Sequence, residues 1–457
     1  MSALKYGPNI LLVMDDQHRF DFIGAAGADF LNTPNIDKLA AKGVRFTRCV
    51  TSSPSCTPAR IALATGLQPS TTGRFDSTSY LPKRLPTMYQ HFRDHGYRVG
   101  LVGKADLAKA DSFNGINGDR PCTFIWGFTH PLECEGKMHA ARAGKRLLGP
   151  YSAHLQSVGL LETFVEDYET RRKKGWIIDA DHNSPLPAEH AEDAFIGRKA
   201  VEWLDDVDDD FPWFLNVHFV GPHDPFDPPD EYARRYTNAK MPDPLPASGD
   251  KPSWVRDKTV TATSQQVKRT RQQYCALIEQ IDDQLGQILQ ALENRGFAEN
   301  TIVVFTSDHG EMLGDFGLYK KQVMYEPAIR VPLLIAGPDI AGNRISDALI
   351  ETIDINPTLA QLAGLPAPDM IDAESFADLL HPGSGQHRET VISELRNCYC
   401  VRSQTHKLIH SINAEDELYD LSTDPSEEHN IANADPQTVR ALRRSYRLRL
   451  RAGSWHR

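Results

Sequence analysis

The hexapeptide Ser55-Cys56-Thr57-Pro58-Ala59-Arg60 joins a thiol and a guanidinium at the start of the apolar run Ile61-Ala62-Leu63-Ala64. Thr57 is suited to cap a helix and Pro58 to its first turn, where a missing N–H costs nothing. Cys56 is then expected just outside a helix N-terminus, where free N–H groups and the positive end of the dipole favour an anion. Arg60, about one turn on, adds a forked cationic donor. Taken alone, these residues equally describe a buried, inert cysteine beside a capped helix. Two acidic groups close apolar runs elsewhere: Asp15-Asp16-Gln17 follows residues 9–14, and Asp308-His309 follows residues 301–307. Carboxylates at the carboxyl ends of parallel strands lie at the crevice where open α/β sheets bind ligands, although an isolated Asp-Asp is also an ordinary solvated turn. His223 sits between Pro222 and Pro225, with the restricted backbone that a positioned acid or ligand requires.

The elements that must position these groups alternate between strand and helix. Residues 32–42 form a helix with Ile36, Leu39 and Ala40 on one face and Gly43 ending it, and residues 44–50 form the strand that leads to Cys56. A helix over 87–95 precedes a strand over 98–102 that ends Gly103-Lys104-Ala105-Asp106. A helix over 191–205 precedes a near-continuous apolar strand over 213–220. In the long helix over 265–295, Tyr274, Ile278, Ile281, Leu285, Ile288 and Leu292 recur at helical spacing and belong to the core. A strand over 331–336 and a helix opening at residue 353 follow. From about residue 390 the texture changes: residues 401–409 alternate as one strand, residues 417–421 as another, and a terminal helix closes the chain. Residues 110–190, with aromatic spots at Trp126, Tyr151 and Trp176, are irregular and are expected to roof a pocket, a solvated insertion being the alternative. Residues 241–261 have the composition of a linker or surface excursion.

With 457 residues of ordinary apolar and charged content, the chain can bury an ample core. Its formal charge of −11 and the lack of a long basic block argue against a nucleic-acid partner. No run approaches eighteen apolar residues, so no membrane span is expected, and residues 10–14 are too short for the apolar part of a signal peptide. Seven cysteines without framework spacing point to a reducing, cytoplasmic setting.

Cys56-x-Pro58-x-Arg60 resembles the motif of the formylglycine-type sulfatases, in which a maturation enzyme oxidises the motif cysteine to formylglycine. The other motifs keep that family's order. Asp16-Gln17-x-Arg19-x-Asp21 resembles its first metal half-site, which makes Asp16 and Gln17 ligands; Asp15, by strand alternation, points elsewhere. Asp308-His309 resembles the second half-site. Hard oxygen ligands with one imidazole suit Ca²⁺, Mg²⁺ or Mn²⁺, of which Ca²⁺ is the family's usual ion. Asp-Gln paired with Asp-His resembles choline sulfatases and phosphonate monoester hydrolases, and the latter look competent with Mn²⁺.

Lys104 matches the lysine of the family's Gly-Lys-x-His, and Asp106 stands where the histidine would be. Either Asp106 replaces that base, or the site has rearranged around a cationic or hydroxyl-rich leaving group. His223 resembles the histidine of Pro-His-x-Pro, which contacts the ester oxygen. Lys321, rather than Lys320, matches the lysine of Lys-x-x-x-Tyr-Glu.

The resemblance implies an alkaline-phosphatase-like α/β fold: a large, mostly parallel sheet flanked by helices, and a small C-terminal antiparallel sheet plus helix. Residues 1–388 would form the catalytic domain, with 110–190 as the roof, and residues 389–457 a small α+β subdomain. It implies hydrolysis of a small organic sulfate ester by the hydrate of residue 56, with Asp308 helping to deprotonate it and with Arg60, Lys104 and Lys321 screening charge. His223, with Lys321 nearby, would protonate the alcohol, the two roles being exchangeable, and Asp106 or a water would trigger release of sulfate. The alternatives are phosphonate monoester or phosphodiester hydrolysis on the same scaffold, and a non-catalytic anion-binding relative. A maturation enzyme is the implied protein partner, and a homo-oligomer is compatible with the reading.

Overall fold

The computed structural model describes residues 7–454, apart from 110, 112, 175–181, 248–250, 370, 384 and 413. Trp176 lies outside the described residues. An eight-stranded sheet runs through the molecule. Its strands are β1 (Asn9–Asp16), β2 (Val44–Val50), β3 (Arg98–Gly103), β4 (His130–Glu133), β5 (Trp213–Pro222), β6 (Thr301–Ser307), β7 (Arg330–Ala336) and β8 (Arg344–Glu351), in the order β4-β3-β5-β1-β6-β7-β2-β8. Only β7 is antiparallel to its neighbours; every other pairing is parallel. The expected mostly parallel sheet is therefore present.

The apolar runs are continuous because both faces of the sheet are covered. Along β1, Ile10, Leu12 and Met14 enter one hydrophobic core, and Leu11 and Val13 enter another. The helix Ser264–Asn294 delivers Ile281, Leu285, Ile288 and Leu292 to the second core, as its periodicity predicts. A capping box fixes its first turn, with the Thr263 side chain accepting from the Gln266 N–H.

A four-stranded antiparallel sheet, β12-β11-β10-β9, follows: β9 is Val391–Leu395, β10 Cys398–Arg402, β11 His406–Ser411 and β12 Glu417–Asp420. The single strand expected over residues 401–409 is instead a hairpin. Its turn falls at residues 403–405, where the Ser403 hydroxyl accepts from the His406 N–H at 2.9 Å. The Ser-Gln-Thr turn is polar enough to pass as the solvent face of one alternating strand, which is why it was not visible. The helix Pro436–Ser454 packs on this sheet through Val439 and Leu442. A shared core joins the two sheets, with Val50, Met324 and Tyr325 packed among Val391, Cys400 and Tyr419. No described helix is long and apolar enough to cross a membrane.

Candidate active site

The strand order assembles the site. β3, β5, β1 and β6 are adjacent and parallel, so the residues at or just past their carboxyl ends share one crevice: Lys104, His223, Asp16 with Gln17, and Asp308 with His309. β1 runs two residues further than its apolar stretch suggests, which carries Asp15 and Asp16 into the sheet. Alternation separates the two, as expected. Asp15 bonds the His18 ring at 2.5 Å on one side, and Asp16 faces the crevice. The chain then turns through Gln17 at φ 76°, a left-handed conformation that costs a non-glycine residue about 1 kcal/mol. The turn aims the Gln17 N–H at Asp308 Oδ1, 3.1 Å away.

Cys56 arrives by a longer route. β2 lies beyond β7, and residues 51–55 cross back over the start of β7. There the Thr51 N–H donates to the Ile329 carbonyl at 2.8 Å, and the Thr51 hydroxyl donates to the Asp308 carbonyl. Cys56 is the first residue of the helix Cys56–Thr65, with Ser55 as N-cap. This corrects the expected cap: Thr57 lies inside the helix, and its hydroxyl donates to the Ser77 carbonyl at 3.0 Å. Sγ of the unmodified Cys56 is 3.2 Å from His309 Nε2 and 3.8 Å from Asp16 Oδ1.

Arg60, one turn along the same face, is 1% exposed and binds the acidic groups together. Its Nε meets Asp308 Oδ2 at 2.8 Å, its Nη2 meets Asp16 Oδ2 at 3.3 Å, and its Nη1 donates to the Lys104 carbonyl. Lys104 Nζ is 2.5 Å from Asp16 Oδ2. Burial pushes the Asp16 carboxyl up, but Lys104, His223, Arg60 and Lys321 overcome it and hold it well below the usual carboxylate range. Burial and Asp16 likewise push the Cys56 thiol up, and Lys109, Lys321 and His309 more than offset them. Gly103, at φ 107°, permits the close approach of β3 to β5 here. A Cβ on it would lie 2.0 Å from the His218 carbonyl oxygen, which accepts the Lys104 N–H.

The ligand atoms of Asp16, Cys56, Asp308 and His309 all lie within 4.8 Å of one another, all buried. Two carboxylates and an imidazole form a donor set that suits a hard divalent cation. The Gln17 side chain is adjacent: its oxygen accepts from Lys321 and its amide donates to Glu311. Asp106 faces Lys104 Nζ at 3.3 Å and Lys109 Nζ at 3.0 Å. Burial raises this carboxyl, but the two lysines and Arg60 hold it well below the usual range, which makes it a weak base.

Above these groups opens a cavity of about 570 Å³, lined by Cys56, Lys104, His223 and Lys321 among others. Residues 110–190 contribute Lys137, His139 and Arg142 to its wall, from a short helix, Lys137–Arg142. Sequence reasoning missed these residues, together with Lys109 and Lys258, and set Lys320 aside in favour of Lys321. No motif spacing links them, and only a three-dimensional arrangement shows that they face one space.

These groups gather on an alkaline-phosphatase-like α/β fold, and their donor set fits a divalent cation. The sulfatase family model matches residues 8–365, and a model for the C-terminal part of N-sulphoglucosamine sulphohydrolase matches residues 314–452. The chain is 30% identical to an arylsulfatase of Clostridium perfringens, over 94% of its own length and 91% of the relative's. It is 29% identical to a choline-sulfatase of Rhizobium meliloti, over 98% and 87% respectively. Its fold is similar to that of a phosphonate monoester hydrolase of Agrobacterium radiobacter, with a TM-score of 0.80, 25% identity, and 98% and 96% of the two chains covered. The chain belongs to the sulfatase family and is a hydrolase of sulfate esters.

Proposed function

We propose that this protein cleaves a small organic sulfate monoester through the hydrate of a formylglycine made from Cys56, beside one divalent cation. The observation that carries the reading is the meeting of Cys56 Sγ with Asp16, Asp308 and His309 inside 4.8 Å. The proposed ligands are Asp16, Asp308, His309 and Gln17. The cation, Ca²⁺ before Mn²⁺ or Mg²⁺, supplies Lewis-acid stabilisation of an oxyanion when bound. For Gln17 to ligate, its oxygen must be released by Lys321, whose ammonium then turns to the ester.

Lys104, Lys321 and Arg60 keep the site positive where negative charge develops on the sulfuryl oxygens. Asp308 helps remove a proton from the hydrate of residue 56, whose oxygen attacks sulfur in line. The bond from sulfur to the alcohol oxygen breaks, and His223 delivers the proton that the alcohol needs. The second hydroxyl of residue 56 then loses its proton to water, expels sulfate and restores the aldehyde. Asp106, held by Lys104 and Lys109, keeps Lys104 in place rather than acting as base. Oxidation of Cys56 requires a maturation enzyme as partner, and a cytoplasmic location is supported by seven free cysteines.

Peptide mass spectrometry at position 56 tests the nucleophile: a loss of about 18 Da relative to cysteine supports it, and an unmodified thiol in active enzyme refutes it. The similarity to a phosphonate monoester hydrolase sustains a second reading, phosphonate monoester hydrolysis. Turnover of 4-nitrophenyl sulfate against 4-nitrophenyl phenylphosphonate decides between them, and a phosphonate preference overturns the first.

A further inference from the structure

The cavity wall carries seven lysine and arginine side chains against two carboxylates, Glu135 and Asp224, in a chain whose formal charge is −11. Both carboxylates are already committed. Glu135 accepts the N–H groups of Tyr151 and Ser152 at 3.2 and 2.8 Å, and Asp224 lies 3.3 Å from Lys320 Nζ. The cations nearest residue 56 are balanced, since Lys104 and Arg60 contact Asp16 and Asp308. Farther out, Lys109 faces Asp106 at 3.0 Å, Lys137 faces Asp227 at 2.8 Å and Lys320 faces Asp224 at 3.3 Å, whereas Arg142 and Lys258 face no carboxylate among the described residues. Arg142 has no hydrogen-bond or ion-pair partner among the described residues, although it lines the cavity. Lys258 lies 4.9 Å from the Trp254 ring and donates to the Gln322 carbonyl at 2.8 Å, which leaves its charge uncompensated. They come from separate segments, the helix Lys137–Arg142 and the loop after the helix Ser253–Arg256.

We infer that the alcohol part of the substrate carries a second anionic group, a carboxylate or a further sulfate, received by Arg142 and Lys258. The inference rests on the sulfate-ester reading above and deepens it. A monoester has one negative charge, which Lys104 and Lys321 already meet beside residue 56. Arg142 and Lys258 leave an excess of positive charge on the concave wall, which concentrates and orients a second anion. A guanidinium without a partner suits the paired oxygens of a carboxylate or sulfate. The same wall repels a cationic alcohol. The acids at or near the wall are engaged: Asp106 by Lys104 and Lys109, Asp224 by Lys320, and Glu135 by the Tyr151 and Ser152 N–H groups.

The test uses matured, metal-loaded enzyme and two matched pairs: butyl sulfate with 4-sulfooxybutanoate, and glucose 6-sulfate with glucose 2,6-disulfate, plus choline sulfate. In at least one pair kcat/KM is expected to favour the dianion by about tenfold at low salt, with the advantage shrinking as NaCl rises. R142A and K258A should each cut that ratio by about threefold or more, chiefly through KM. Equal or better use of the members that lack the second anionic group, or of choline sulfate, overturns the inference and leaves the sulfatase mechanism standing. An undiminished ratio in the double variant also overturns it. Failure of the matured protein to hydrolyse any of the five esters overturns both readings.

Discussion

Arg60 is the residue whose removal most directly tests the charge arrangement at the site. It is buried, and it spans Asp308 at 2.8 Å and Asp16 at 3.3 Å while holding the carbonyl of Lys104. Arg60→Ala leaves two buried carboxylates with Lys104 as the main remaining countercharge and opens a cavity at the start of the helix. Breaking a buried ion pair from one side costs about 3–5 kcal/mol. A chain of 457 residues unfolds with an entropy of about 1 kcal/mol per degree, so the metal-stripped variant should melt about 3–5 °C below the wild type. A divalent cation would restore the missing positive charge. Calorimetry after EDTA treatment and again in excess Ca²⁺ or Mn²⁺ should therefore show a larger upward shift for Arg60→Ala than for the wild type. Arg60→Lys keeps the charge but not the fork, and should recover about half of the loss. A stripped variant melting within about 1 °C of the wild type, or an ion-induced shift smaller than the wild type's, would refute this account of the site.

Three other perturbations probe the frame. Gly103→Ala would place a methyl 2.0 Å from the His218 carbonyl at φ 107°, so it should fail to give folded protein or melt more than about 5 °C low; wild-type melting would sink the argument. Glu326 anchors the two sheets: burial raises its carboxyl, but Arg402, Lys407 and Arg330 hold it well below its ordinary value. A depressed folded-state value means that its contribution is complete above the unfolded pKa of about 4.3 and is lost as pH falls below that. Glu326→Gln should therefore lose stability at pH 6 and show a shallower decline from pH 5 to pH 3 in denaturant titrations; parallel pH profiles would contradict this. Lys251 lies 4.1, 4.2 and 4.6 Å from the ring centroids of Phe316, Tyr325 and Tyr419, and its ammonium also meets the Tyr419 hydroxyl at 3.0 Å. A desolvated cation over aromatic faces contributes about 2 kcal/mol or more, so Lys251→Met should melt about 2 °C lower with KM unchanged, and an unchanged melting point would count against the cage.

How far the site could be seen in the chain depends on how each group reaches it. A strand buried on both faces must be apolar until it ends, so Asp15-Asp16 after Leu11-Leu12-Val13-Met14 and Asp308 after Val303-Val304-Phe305 stood out, and the family motif with strand alternation picked Asp16 over Asp15. Lys104 and His223 also follow apolar strands, but likeness to the family's Gly-Lys-x-His and Pro-His-x-Pro is what singled them out. Cys56 was legible through its motif alone; that it lies over Asp308 depends on the crossing of residues 51–55 above β7, a path that no periodicity encodes. β8 went unnoticed because its first four residues are exposed or half-buried and two of them, Arg344 and Asp347, are charged. Asp106 was misleading in isolation, since an acid near an anionic substrate looks like a liability until Lys109 is seen to share it with Lys104. The outer wall was invisible for a stronger reason. Arg142 and Lys258 lie in short helices and loops whose sequences are indistinguishable from solvated surface. Most of the proposed catalytic groups follow strands of the sheet, so the hydrophobic pattern that builds the sheet also points to them. Groups that receive the variable part of a substrate are tied to loops, where that pattern is silent, and the cavity itself was needed to bring them together.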